Sequence, residues 1–128
     1  MDKMGVLGPR GTHSEAAAIY LNDKLPEATK LVTFSDIFEC LQAVEDNIVD
    51  TALVPVENSL EGAINITLDT LARSNNLEVA RELIWPVHNQ LMAKCAPAAI
   101  KRVYSHPQPI SQCRKFLQEH YPSAEIVK

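Results

Sequence analysis

A chain of 128 residues, 46% apolar and 22% charged, has the size and composition of a folded domain and excludes wholesale disorder. Its net charge of −4, with no Lys/Arg cluster, argues against nucleic acid as a partner and requires that any anionic ligand be held by local donors. The longest apolar runs, Ala16 to Leu21 among them, fall far short of the ~20 residues of a membrane helix, and the first residues lead straight into strand-like sequence. The expectation is a cytoplasmic protein without a membrane partner.

Met4 to Leu7 reads as a buried strand, followed by a Gly-Pro-Arg-Gly turn and a helix from about Ser14 to Asn22. Leu31 to Phe34 is a second strand, and Ser35 is placed to cap a helix with Ile37, Phe38, Leu41 and Val44 on one face. Thr51 to Val56 is a third strand, followed by a polar turn and a helix near Gly62 to Arg73. Leu77 to Ile84 and His88 to Ala93 read as two further β runs around Trp85-Pro86. A helical turn is expected at Ala96 to Ile100, a strand at Val103-Tyr104, a helix from Pro107 to His120, and a last strand at Ala124 to Val127.

Repeated strand–turn–helix units predict an α/β fold with mainly parallel sheets. Two β runs in succession place a division near Val79 to Trp85, and an α/β unit normally covers its last strand with another helix. Cys40, Cys95 and Cys113 are odd in number, far apart and set in apolar context, which predicts buried, reduced thiols. Trp85, Phe34, Phe38 and Phe116 read as core or interface residues. His13, His88, His106 and His120 show no metal-binding spacing, so no metal site is expected.

Three strand-to-helix junctions carry unusual polar sequence, at the place where open α/β sheets gather ligands. The first runs from Gly8 to Ser14: two glycines let the backbone approach a carboxylate, and the next helix offers N–H groups and a positive dipole end. The plain alternative is a tight turn with Thr12 or Ser14 as N-cap. The second is Val54-Pro55-Val56-Glu57-Asn58-Ser59-Leu60-Glu61-Gly62, in which Ser59 could equally be a helix cap with Glu57 and Glu61 in solvent. The third is Ser105-His106-Pro107-Gln108 with Gln112, where Ser105 could be only a cap and Gln112 only a solvated side chain.

These blocks together resemble the prephenate dehydratase family. The resemblance runs through Leu7 to Ser14, Val54 to Ser59 with Gly62, Thr67 and Asp69, Glu82 with His88 and Leu91, and Val103 to Gln108 with Gln112-Cys113 and Phe116-Leu117. His13 stands where many members have Phe, and Pro109 where Ala is usual. The family's Ser-Thr-Ala helix, Thr-Arg-Phe motif and phenylalanine-binding ACT domain are not in this sequence. The resemblance implies two α/β lobes hinged as in type 2 periplasmic binding proteins, residues 1–80 forming the first and 81–128 an incomplete second.

The implied reaction is the decarboxylating dehydration of prephenate to phenylpyruvate, with no cofactor. Asn58, Ser105 and Gln112 are then expected to orient the substrate. Gly8, Pro9, Gly11, Thr12 and Ser59 would bind its carboxylates, with Gly62 and His106 completing the substrate-binding set. Glu57 would be a general acid if buried, or would position Asn58 if it lies on the rim. The acid usually assigned in the family is the Thr of the Thr-Arg-Phe motif, so this chain alone is expected to be inactive. A homodimer or larger homo-oligomer is expected. Arogenate as substrate, or a non-catalytic anion-binding domain of the same architecture, is the alternative.

Overall fold

β1 (Lys3–Leu7) is apolar on both faces because both are covered. In the computed structural model, which describes residues 2–59 and 62–128, β1 is the centre of a three-stranded sheet ordered β2–β1–β3, with β2 at Lys30–Phe34 and β3 at Thr51–Leu53. Both pairings are parallel, Met4 lying opposite Leu31 on one side and Thr51 on the other. The connections run through α1 (His13–Lys24) and α2 (Ile37–Glu45) and step across the sheet in opposite directions. Right-handed crossovers therefore send the two helices to opposite faces.

Side-chain alternation along β1 serves both helices. Met4 and Val6 pack with Ala18, and Leu21, Leu25, Leu31 and Leu53 close around them. Gly5 faces the other way, where an added Cβ would lie 3.0 Å from Cys40 Sγ and 3.1 Å from Phe34 Cε2. Glycine thus lets α2 sit close on the sheet. Cys40 is fully buried there, and burial pushes its thiol up to about 11. At the end of α2, Asn47 takes φ 59°, and Ile48 N–H and Asn47 N–H close on the carbonyls of Ala43 and Val44 as a Schellman cap.

Two caps differ from expectation. Asp36, not Ser35, caps α2, its carboxylate accepting from Glu39 N–H at 2.7 Å, while the Ser35 hydroxyl donates to the Glu39 side chain. After β3 the expected helix cap is a hairpin: β4 (Glu57–Asn58) pairs antiparallel with β5 (Gly62–Ala63), and α3 starts only at Asn65 and ends at Arg73. Gly62 at φ 81° suits the hairpin rather than a helix start, so Ser59 caps nothing. Glu61, expected in solvent, lies outside the described residues. Thr67 on α3 is fully buried and donates its hydroxyl to Pro55 C=O at 2.7 Å, which ties the helix to the chain leaving β3.

The chain divides into two compact units, residues 1–85 and 86–128. In the second, β6 (Arg102–Tyr104) pairs in parallel with β7 (Glu125–Val127). The expected long helix is two, α4 (Pro107–Gln112) and α5 (Arg114–His120), joined at Cys113, which turns at φ −102°, ψ 9°. Val103, Ile110 and Leu117 form the buried core, with Ile100, Cys113 and Tyr121 against it. The expected β runs 77–84 and 88–93 are not strands: they find no ladder partner among the described residues, and Ile84 and Met92 are 85% and 87% exposed. Only Cys40 of the three thiols is buried; Cys95 is exposed and Cys113 half-buried. Phe38 and Phe116 are about half exposed, whereas Trp85 packs on Tyr20 with ring centroids 5.5 Å apart.

Gly5→Ala is expected to lower stability by about 1–3 kcal/mol, because Cys40 and the Phe34 ring must both yield; urea unfolding measures it. A buried thiol with a raised folded pKa leaves stability intact below the ordinary thiol value. Between about pH 9 and 11 the unfolded chain ionises first, so stability falls, by up to roughly 2–3 kcal/mol. Unfolding midpoints across that window should show this component in the wild type and not in Cys40→Ala.

Candidate functional site

A strand order with β1 between β2 and β3 creates a switch point. At the carboxyl edge of the sheet, the chain leaving β1 turns to one face, and the chain leaving β3 departs beside it. Such edges are where open α/β sheets bind ligands. The loop of Gly8 to Thr12 and the segment of Val54 to Ser59 both leave from this edge, so two of the three polar junctions share one side of one sheet.

The first loop is shaped by its glycines. Gly8 N–H donates to Phe34 C=O at 2.8 Å, and a Cβ on Gly8 would meet Thr33 Cβ at 3.2 Å, so only glycine lets the loop lie on the end of β2. The Gly8–Pro9 peptide is cis, and Gly11 takes φ 86°, where other residues are strained. Thr12 is the N-cap of α1: its hydroxyl oxygen accepts from Glu15 N–H at 3.3 Å, while the Glu15 carboxylate accepts from Gly11 N–H at 3.0 Å. This is a capping box displaced by one residue. The helix terminus is thus occupied by its own acidic side chain, and a bound carboxylate would take the place of Glu15 at Gly11. Pro9 and Arg10 are exposed beside it.

In the second junction, Asn58 is half-buried on β4 and paired with Gly62, and Ser59 is exposed at the hairpin turn. Glu57 stands exposed opposite Ala63 and is not buried.

The third junction belongs to the second unit. An open pocket of about 860 Å³ there is lined by Ser105 and Gln112 together with the core residues Val103, Ile110 and Leu117. Ser105 N–H donates to Val127 C=O at 3.0 Å, extending the β6–β7 pairing. Ser105 is not a helix cap, because that position belongs to His106, whose exposed side chain makes no capping bond. Gln112 Oε1 accepts from Asn89 Nδ2 at 2.8 Å, a partner that sequence reasoning missed because Asn89 lies in a run read as a strand. Lys101 and Arg102 also line this cavity and carried no sequence signal.

Among the described residues no group of His, Cys, Asp or Glu side chains is arranged to hold a metal ion, and no helix is long and apolar enough to cross a membrane. Thr12→Ala should cost about 1 kcal/mol by leaving Glu15 N–H without its cap, and Thr12→Ser should recover most of it; thermal unfolding of the three proteins checks this.

A family model described as prephenate dehydratase matches residues 4–128. The chain is 33% identical over 124 residues to the prephenate dehydratase of Lactococcus lactis subsp. lactis, covering 97% of this chain and 43% of that protein. It is 37% identical over 127 residues to that of Amycolatopsis methanolica, covering 99% and 41%. The crystal structure of prephenate dehydratase from Arthrobacter aurescens in complex with L-Phe superposes with a TM-score of 0.77 at 31% identity, covering 98% of this chain and 41% of that one. The chain therefore spans about two-fifths of the length of these relatives.

Proposed function

The chain belongs to the prephenate dehydratase family, and from that premise we propose that it supplies part of a catalytic domain that converts prephenate to phenylpyruvate, CO2 and water. The observation that carries this reading is the match over residues 4–128, which takes in all three polar junctions. The family architecture proposed with it is two α/β lobes hinged as in periplasmic binding proteins, residues 1–80 in the first and 81–128 in the second. A cytoplasmic homo-oligomer is part of the same reading.

The chemistry asks little of the protein beyond placement and one proton. The bond from the ring to its carboxylate breaks, and the electron pair enters the ring as it becomes aromatic. The C4 hydroxyl leaves with one added proton, as water. Aromatisation drives the step, so the protein must hold the dicarboxylate, keep the departing carboxylate poorly solvated and supply the proton. Asn58, Ser105 and Gln112 are the groups we assign to orienting the ring and its hydroxyl. The loop of Gly8, Pro9, Gly11 and Thr12, with Ser59, takes the carboxylates. Gly62 supports Asn58 through the β4–β5 pairing, Glu57 positions it from the rim, and His106 stands beside Ser105. The proton donor is placed in the part of the relatives that this chain does not span.

Two measurements test the proposal. In the longer enzyme that carries this chain, Asn58→Ala and Gln112→Ala should each lower kcat/KM for prephenate by about 10–100-fold, the loss of one or two oriented hydrogen bonds, with folding little changed. The 128-residue chain alone should form phenylpyruvate no faster than the uncatalysed background. Turnover by the chain near ~10 s⁻¹ would show that the chemistry has been misplaced.

A further inference from the structure

Gln112 closes α4 and lines the open pocket of the second unit, one residue before the chain turns at Cys113. Its side chain ends in an amide whose two halves act oppositely: Oε1 only accepts hydrogen bonds and Nε2 only donates them. The last torsion of a glutamine is broad and roughly two-fold, so an untethered amide presents either end to the pocket. A ligand oxygen can use only the donating end. Some neighbour has to decide which end faces inward.

Asn89 makes that choice. It lies in a stretch, residues 86–93, that is neither helix nor strand, and it lines the same pocket. Its Nδ2 donates to Gln112 Oε1 at 2.8 Å, across 23 residues of chain. With Oε1 engaged in this way, the NH2 of Gln112 is the end left for a ligand. The bond is exposed, so water competes for both partners and its contribution to folding is small. What it can do is orient the amide, and its loss belongs in function before stability.

We propose that Asn89 is a positioning residue, whose side-chain N–H fixes the Gln112 amide with its NH2 turned to the pocket. That Gln112 acts on prephenate rests on the dehydratase reading; that Asn89 orients Gln112 does not.

The deciding substitution is Asn89→Asp, which keeps the shape and replaces the donor by an acceptor. Gln112 should then turn over, donating its NH2 to the new carboxylate and presenting Oε1 to the pocket. In NMR spectra of the 128-residue chain, the Gln112 side-chain NH2 should move downfield and exchange more slowly with water in Asn89→Asp than in wild type or Asn89→Ala. In the longer enzyme, Asn89→Ala should lower kcat/KM for prephenate by about 3–10-fold and Asn89→Asp by about 10–100-fold. In a Gln112→Ala background nothing is left to orient. There Asn89→Ala should change kcat/KM by less than about twofold, and Asn89→Asp should lose only what its added charge costs an anionic ligand. Equal losses with and without Gln112 would overturn the proposal. So would wild-type behaviour of Asn89→Asp in both measurements, which would mean that the bond runs from Gln112 to Asn89. A longer enzyme that forms no phenylpyruvate would instead count against the dehydratase reading, and the NMR result would still decide the role of Asn89.

Discussion

The close approach of α2 to β1 at Gly5 is the constraint on which the first unit depends. β1 is the shared wall of two layers, with Met4 and Val6 turned to one and Gly5 to the other. A side chain at position 5 would push α2 outward and take with it Cys40, Leu41 and Ala43, all buried on that helix. The chain that follows α2 leads through buried Val49 into β3, so the same contact sets where β3 meets β1. The switch point at the carboxyl edge is therefore a product of packing at the centre of the sheet. Neither loop that borders it could hold its place if β1 and β3 were free to slide.

Much of this was legible because burial writes itself into sequence where neighbours lie close along the chain. β1, α1, β2 and α2 follow from an apolar run, a glycine turn and helical spacing, and each lies within a residue or three of where those signals put it. The runs 77–84 and 88–93 misled for a physical reason: β-like composition reports a segment suited to a sheet, while strand formation also needs an edge to pair with. The β4–β5 hairpin escaped because a polar turn after a strand is equally compatible with a helix cap, and only the positive φ of Gly62 separates the two. In the candidate site, Ser105 and Gln112 could be named from spacing and resemblance. Asn89 could not, since its contact with Gln112 joins positions 23 residues apart through a segment of no regular structure.

The two units differ in how their charge is arranged. In the first, Gly11 N–H and the start of α1 hold a carboxylate of the chain itself, that of Glu15. In the second, residues 86–128, six Lys and Arg side chains stand against two Glu, a net charge of +4. The summed charge of −4 thus hides a unit whose own balance is positive.

The central place of β1 has a consequence for synthesis. Of the three strands of its sheet β1 is made first, yet its two neighbours come 27 and 47 residues later, as the pairings Lys3–Lys30 and Met4–Thr51 require. Until the ribosome has released Leu53, the most buried strand of the unit has one edge without its final partner, and before Phe34 it has two. Of the strands of this sheet, the nascent chain therefore carries the most buried one exposed for longest, and it is protected only once a stretch of about fifty residues closes around it.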